Sequence, residues 1–184
     1  MSAAARKPMT VDEFLARERE QELRWEFDGI GAVAMTGGTV AHSDIATALV
    51  EQLRARLRGS PCRAFRDDLK ILVNGRVRYP DAVVSCSPVA NDIVPDPVAV
   101  FEVLSPSTSG TDRIAKNAEY RATPSIQRYV MLEQTSVAAT VFVRASEDWV
   151  GHLVTGEAVL AMPEVGVELP LSEVYAGLVP EQGA

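Results

Sequence analysis

The chain has 184 residues, 47% of them hydrophobic and 23% charged, with a formal net charge of −7 and a mean hydropathy of +0.03. This is the composition of one globular domain with room for a sizeable core, and no apolar run approaches a membrane span. The acidic balance excludes tight nonspecific DNA binding driven by charge alone, but it leaves a local basic groove open.

We expect a single domain over residues 9–179 between flexible tails at 1–8 and 180–184. The first eight residues lack the apolar core of a signal peptide, so a cytoplasmic protein is expected. Cys62 and Cys86 do not have metal-ligand spacing, and they read as core or surface thiols rather than a disulfide. In chain order, Thr10 and Glu13 form a capping box that opens a helix running to about Glu22. Trp25-Glu26-Phe27 then leads through Asp28-Gly29 into a return strand over 30–35, the pattern of a hairpin. Alternation alone makes Glu26 a solvent-facing strand residue.

The longest helical pattern covers 39–58, with Ile45, Leu49, Leu53 and Leu57 on one face and Gly59 as the stop. Arg54, Arg58 and Arg66, on and after that helix, are candidate phosphate contacts, although a charge run is more often a solvated face. His42 in its first turn reads as a cap or surface group. Residues 65–73 read as one strand, and Asn74-Gly75 turns it into an antiparallel neighbour that continues through Pro80-Asp81 to Cys86. Lys70 on the first of these strands could face the same pocket as Asp81 or face water. A helix opens at Thr111 or Asp112 and ends before Pro124, with Asp112 and Lys116 four apart on one face. Strands over 126–133 and 137–144 form a further hairpin, followed by short strands at 149–155 and 159–162 and a closing helical turn within 172–178.

The chemistry gathers around two apolar strands. Residues 97–105 form a run bounded by prolines, typical of a strand buried on both faces, and it holds one carboxylate, Glu102. A buried carboxylate needs a cation, a hydrogen-bond network or a proton. The plain alternative is a structural pair with an arginine. Asp81 enters a second apolar strand directly after Pro80. If the two strands are neighbours, Asp81 and Glu102 converge with Lys116 of the following helix. Two hard oxygen donors beside an ammonium are what a divalent-metal phosphodiesterase needs.

Pro80-Asp81, then Glu102-Val103-Leu104-Ser105-Pro106-Ser107-Thr108, then Asp112-Arg113 with Lys116 and Tyr120, form an ordered set. It resembles the Uma-type family of bacterial restriction endonucleases, part of the PD-(D/E)xK nuclease superfamily. The resemblance extends to residues 25–29, His42, residues 59–62 and residues 124–129, and so spans roughly 9–149. It implies an α/β fold with a restriction-endonuclease-like core, a mixed central sheet flanked by helices, and additional antiparallel hairpins. It also implies a homodimer that acts on DNA with Mg²⁺ or Mn²⁺, without an organic cofactor or a membrane. Asp81 and Glu102 match the metal-holding acids, the backbone carbonyl of Val103 matches a third ligand, and Glu26 matches an additional acidic position. The superfamily lysine two residues after the Glu is Leu104 here, and Lys116 is its candidate replacement. Two other classes stay open. One is a nuclease-fold binding or accessory module with a degenerate site. The other is a glycosidase using Asp81 and Glu102 as a carboxylate pair, disfavoured by an aromatic content of only 6%.

Overall fold

A computed structural model describes residues 8–35, 37–105 and 110–178, with the side chains of 110–113 outside it. The tails expected at 1–8 and 180–184 therefore lie outside the described residues, apart from Pro8, as do the Asp112 side chain and its expected pairing with Lys116. No helix of the described residues is long and apolar enough to cross a membrane.

Helix α1 is Val11–Glu18, and its capping box is formed: Glu13 N–H donates to Thr10 Oγ1, and Thr10 N–H donates to Glu13 Oε2 at 2.7 Å. It stops four residues short of the expected end. Glu18 turns inward to accept from Lys70 and the Tyr79 hydroxyl, and Arg19, Glu20, Gln21 and Glu22 have no apolar side chain to bury. Strands β1 (Trp25–Phe27) and β2 (Ala32–Ala34) form the expected hairpin. Its loop has four residues, because Asp28 Oδ1 accepts from both Ile30 and Gly31 N–H. Helix α2 (Val40–Arg56) is capped by Thr39 and buries Ile45, Leu49 and Leu53, and Gly59 supplies the positive φ of +80° beyond its end.

The expected strand over 65–73 is two strands in two sheets: β3 (Arg63–Arg66) and β4 (Ile71–Val73). Asp67 and Asp68 interrupt the apolar pattern, and Lys70 instead bridges the segment before residue 94 through backbone bonds to Asp92 O and from Val94 N. The partner arm breaks likewise into β5 (Arg76–Arg78) and β6 (Ala82–Ser85), at Pro80, which has no N–H to donate. Both expected pairings hold, β4 with β5 and β3 with β6, each antiparallel. The remaining elements are β7 (Pro97–Val103), α3 (Gly110–Arg121), β8 (Arg128–Leu132), β9 (Ala138–Ala145), β10 (Asp148–Thr155), β11 (Val159–Met162), β12 (Val167–Pro170) and α4 (Leu171–Val174).

The large sheet runs β10-β9-β8-β7-β6-β3, the small one β2-β1-β5-β4, and β11-β12 is a separate hairpin. All pairs of the large sheet are antiparallel except β7 with β8, which α3 connects as a crossover. Alternate residues of β6, β7 and β8 face two cores. Ala82, Phe101, Val103 and Val130 pack with α2 and α4, whereas Val83, Val100 and Tyr129 pack with Tyr120 of α3. By that alternation Glu102 lies on the α3 side of the sheet.

The two cysteines correct the sequence reading, because Cys62 and Cys86 form a disulfide. Arg63 pairs with Ser85 at the end of the β3–β6 ladder, so the residues just outside it face each other. That juxtaposition comes from strand pairing across 24 residues of sequence, which spacing alone does not show. Closing a loop of that length stabilises by about 3 kcal/mol in the chain-entropy picture. Replacing both cysteines by Ala, or adding reductant, is therefore expected to lower the thermal midpoint by roughly 6–12 °C. Identical melts with and without reductant would contradict it.

Candidate functional site

Strands β6 and β7 position the two central carboxylates. Ala82 pairs with Phe101, so Asp81 and Glu102 stand one step further along at the same end of the ladder. Asp81 is fixed by two contacts: Oδ2 accepts from Val103 N–H at 2.6 Å, and Oδ1 lies 3.2 Å from His42 Nε2. His42 arrives from the first turn of α2. Gly38 makes room for its ring, since a Cβ there would come within 3.0 Å of Nδ1. The bond to Asp81 raises the His42 pKa above its ordinary value despite partial burial, with the charges of Asp81 and Glu102 adding to it.

Glu102 is held from α3. Its Oε1 accepts from the Tyr120 hydroxyl at 2.7 Å and lies 3.2 Å from Lys116 Nζ. Lys116 also lies 3.2 Å from Glu26 Oε1. Glu26, expected to face solvent on alternation alone, has a side chain only 12% exposed and also accepts from Arg78 Nη1 and Tyr79 N–H. Behind it Arg78 makes a two-pronged pair with Glu119 at 2.7 and 2.8 Å, and Arg76 Nε lies 2.9 Å from the same carboxylate. The charges thus alternate from Glu102 through Lys116, Glu26, Arg78 and Glu119 to Arg76.

Burial pushes the Glu102 carboxyl up to about 7; the Lys116 charge and the Tyr120 bond pull it down, the Asp81 and Glu26 charges push it further up, and burial prevails. For Lys116 burial works against the charged form, but Glu102 and Glu26 outweigh it, so the amine stays an ammonium above its ordinary range. These groups line one cavity of about 960 Å³, with Asp81, Glu102, Lys116, Glu26, His42 and Arg66 on its walls.

The other sequence candidates separate. Lys70 is turned away from this cavity and points to neither of the two expected surroundings. Its side chain is 5% exposed and 2.7 Å from both Glu18 and Asp92. Arg54 donates to Ala64 O and sits twelve residues along α2 from His42, about 18 Å down the helix. Arg58 is exposed beyond the end of α2. Arg66 is the one of the four that lines the cavity. Leu104, where the superfamily carries lysine, is buried, and its N–H bonds to Leu132 O. The residue that sequence reading missed is His42. Its position in the first turn of a capped helix was visible, but the fold is needed to aim that turn at Asp81.

Among the described residues no three His, Cys, Asp or Glu side chains converge as a ready-made metal cage. The side-chain oxygen donors that could hold a cation here are Asp81 and Glu102, with Val103 beside them on the cavity wall. That set suits Mg²⁺ or Mn²⁺, since octahedral Mg²⁺ keeps several waters and takes one or two carboxylates. A largely buried carboxyl raised to about 7 beside a second acid also leaves room for added positive charge.

Residues 11–172 match the model of the Uma2 family, described as "Putative restriction endonuclease". The uncharacterized protein slr1290 of Synechocystis sp. is 31% identical over 177 residues, covering 92% of this chain and 93% of that protein. A second Synechocystis protein, the uncharacterized sll1609, is 27% identical over 141 residues, covering 73% and 80%. A crystal structure from Anabaena variabilis, described as a "putative nuclease belonging to DUF820", superposes with a TM-score of 0.73. It is 20% identical and covers 92% of this chain and 98% of that one, so the expected α/β architecture, a mixed sheet with helices and antiparallel hairpins, is shared with it. With a family match running from the first helix to the last, the chain belongs to the Uma2 family.

Proposed function

We propose that the protein is a Mg²⁺- or Mn²⁺-dependent endonuclease that hydrolyses phosphodiester bonds in DNA. The observation that carries this reading is Lys116. Although the superfamily position holds Leu104, an ammonium from the next helix stands 3.2 Å from Glu102, in the cavity that also holds Asp81. Asp81, oriented by Val103 N–H and His42, and Glu102, oriented by Tyr120 and Lys116, would hold the cation with the Val103 carbonyl. A bound divalent ion supplies an acidified water and neutralises charge on the scissile phosphate. Lys116, kept protonated by its two carboxylates, orients the attacking water and stabilises charge developing on the phosphate oxygens. Glu26 serves as the counter-carboxylate that holds Lys116 and Arg78, and Arg66 contacts a flanking phosphate from the cavity wall.

Incubating the purified protein with supercoiled plasmid tests this reading. Nicks are expected with Mg²⁺ or Mn²⁺ and none in excess chelator, and cleavage that persists in chelator would sink the assignment. The degenerate-module reading keeps one observation in its favour, the lack of a three-residue ligand cluster among the described residues. It predicts DNA binding without nicking under every metal condition. A homodimer accompanies the restriction-endonuclease reading, and light scattering should then return twice 19.9 kDa.

A further inference from the structure

We infer that Tyr120 is a positioning residue for Glu102, holding one carboxylate oxygen so that the other is the one presented to the cation. The inference rests on the metal-dependent reading above. Two donors meet at a single atom: the Tyr120 hydroxyl is 2.7 Å from Glu102 Oε1, and Lys116 Nζ is 3.2 Å from the same oxygen. They come from positions four apart on α3 and so share one face of that helix. With Oε1 claimed twice, Oε2 is the oxygen that no donor among the described residues claims.

The two donors are not equivalent. Lys116 is shared with Glu26 and, carrying the same sign of charge as a metal, would be repelled by one. Tyr120 is neutral and is not repelled. Its side chain is fully buried, and its ring meets Tyr129 edge-on at 4.9 Å and 67°; Tyr129 in turn stacks on Phe142 at 6.3 Å. The hydroxyl is therefore set by packing rather than by the charges in the cavity. A glutamate whose side-chain torsions are already fixed gives up less conformational freedom when it takes a metal.

The full chain tests this through Mn²⁺ affinity, read from the electron paramagnetic resonance signal of free Mn²⁺, with thermal midpoints measured without metal. Tyr120→Phe keeps the ring packing and removes only the hydroxyl. It is expected to bind Mn²⁺ about 10-fold more weakly than wild type, the usual size for losing a ligand-orienting partner. Tyr175→Phe is the control: its hydroxyl donates to the Glu133 and Ala138 carbonyls, outside the cavity, and its Mn²⁺ affinity should be unchanged. Unchanged affinity in Tyr120→Phe, whatever its midpoint, overturns the positioning role and leaves the hydroxyl a satisfied core group. A wild type that binds no Mn²⁺, or an Asp81→Ala variant that binds as well as wild type, overturns the metal reading itself and this inference with it.

Discussion

Glu102→Gln is expected to lower Mn²⁺-dependent cleavage by at least about 100-fold while leaving the protein folded. Residues that only orient a ligand typically cost about 10–100-fold when lost, so removing a ligand's charge should cost at least as much. Glutamine has nearly the same shape, and its oxygen can still accept from Tyr120 and Lys116 where Glu102 Oε1 does now. What disappears is the negative charge. The pH dependence of stability gives an independent check. In the folded protein the Glu102 carboxyl is raised from 4.5 to about 7, so between these values the folded state binds the proton more tightly than the unfolded chain. Stability is therefore lost from this group as pH rises through that window, the opposite of a salt-bridged acid with a lowered pKa. The Lys116 ammonium, whose pKa is raised, contributes stability throughout neutral pH and loses it only in strong alkali. Thermal midpoints from pH 5 to pH 8 should accordingly fall more steeply in wild type than in Glu102→Gln. Parallel pH profiles would mean that the carboxyl is not raised.

Glu18→Ala is expected to cost about 3–5 kcal/mol, the usual range for removing one partner of a buried ion pair. In a domain of this size that is roughly 6–20 °C of thermal midpoint. Glu18 is 5% exposed and accepts from the Lys70 ammonium, the Tyr79 hydroxyl and Trp25 N–H, which ties α1 to β1 and to the segment after β5. Truncation leaves the Lys70 ammonium, itself 5% exposed, against Asp92 alone, and Asp92 is 49% exposed. It also leaves the tyrosine hydroxyl without its acceptor. Adding Lys70→Met should recover part of the loss by removing the stranded charge. Cleavage well below the lowered midpoint should survive, because neither residue lines the cavity. A midpoint within about 2 °C of wild type, the scale of a single exposed ion pair, would show the cluster to be no more than that.

How far the sequence could be read follows from how local each determinant is. The Thr10 cap, the Thr39 to Gly59 helix and the Asn74-Gly75 turn depend on neighbours a few residues away, and all were legible. The acid pair was legible too, because a carboxylate in an apolar strand demands an explanation. What stayed hidden depends on the crossing between sheets. The breaks at Asp67 and Pro80 send one apparent hairpin into two sheets. This places Lys70 among Glu18 and Asp92, sets Cys62 opposite Cys86, and brings Glu26 from the small sheet to Lys116. Alternation could not distinguish a Glu26 facing water from one facing another sheet. His42 has the same origin, since its partner Asp81 is distant in sequence and meets it only through the packing of α2 on the large sheet.

Thermal melts of wild type and Asp81→Ala, each with and without millimolar Mn²⁺, test most directly whether Asp81 and Glu102 form a cation site. Only folding brings β6 beside β7, so on the proposed reading an ion would bind the native arrangement and not the open chain. At about a hundred times its dissociation constant it stabilises by roughly 2.7 kcal/mol, or about 5–11 °C here. The wild-type midpoint should rise by that amount and the Asp81→Ala midpoint should stay where it was. An unmoved wild type, or an equal rise in both proteins, would contradict a metal site built on these two carboxylates.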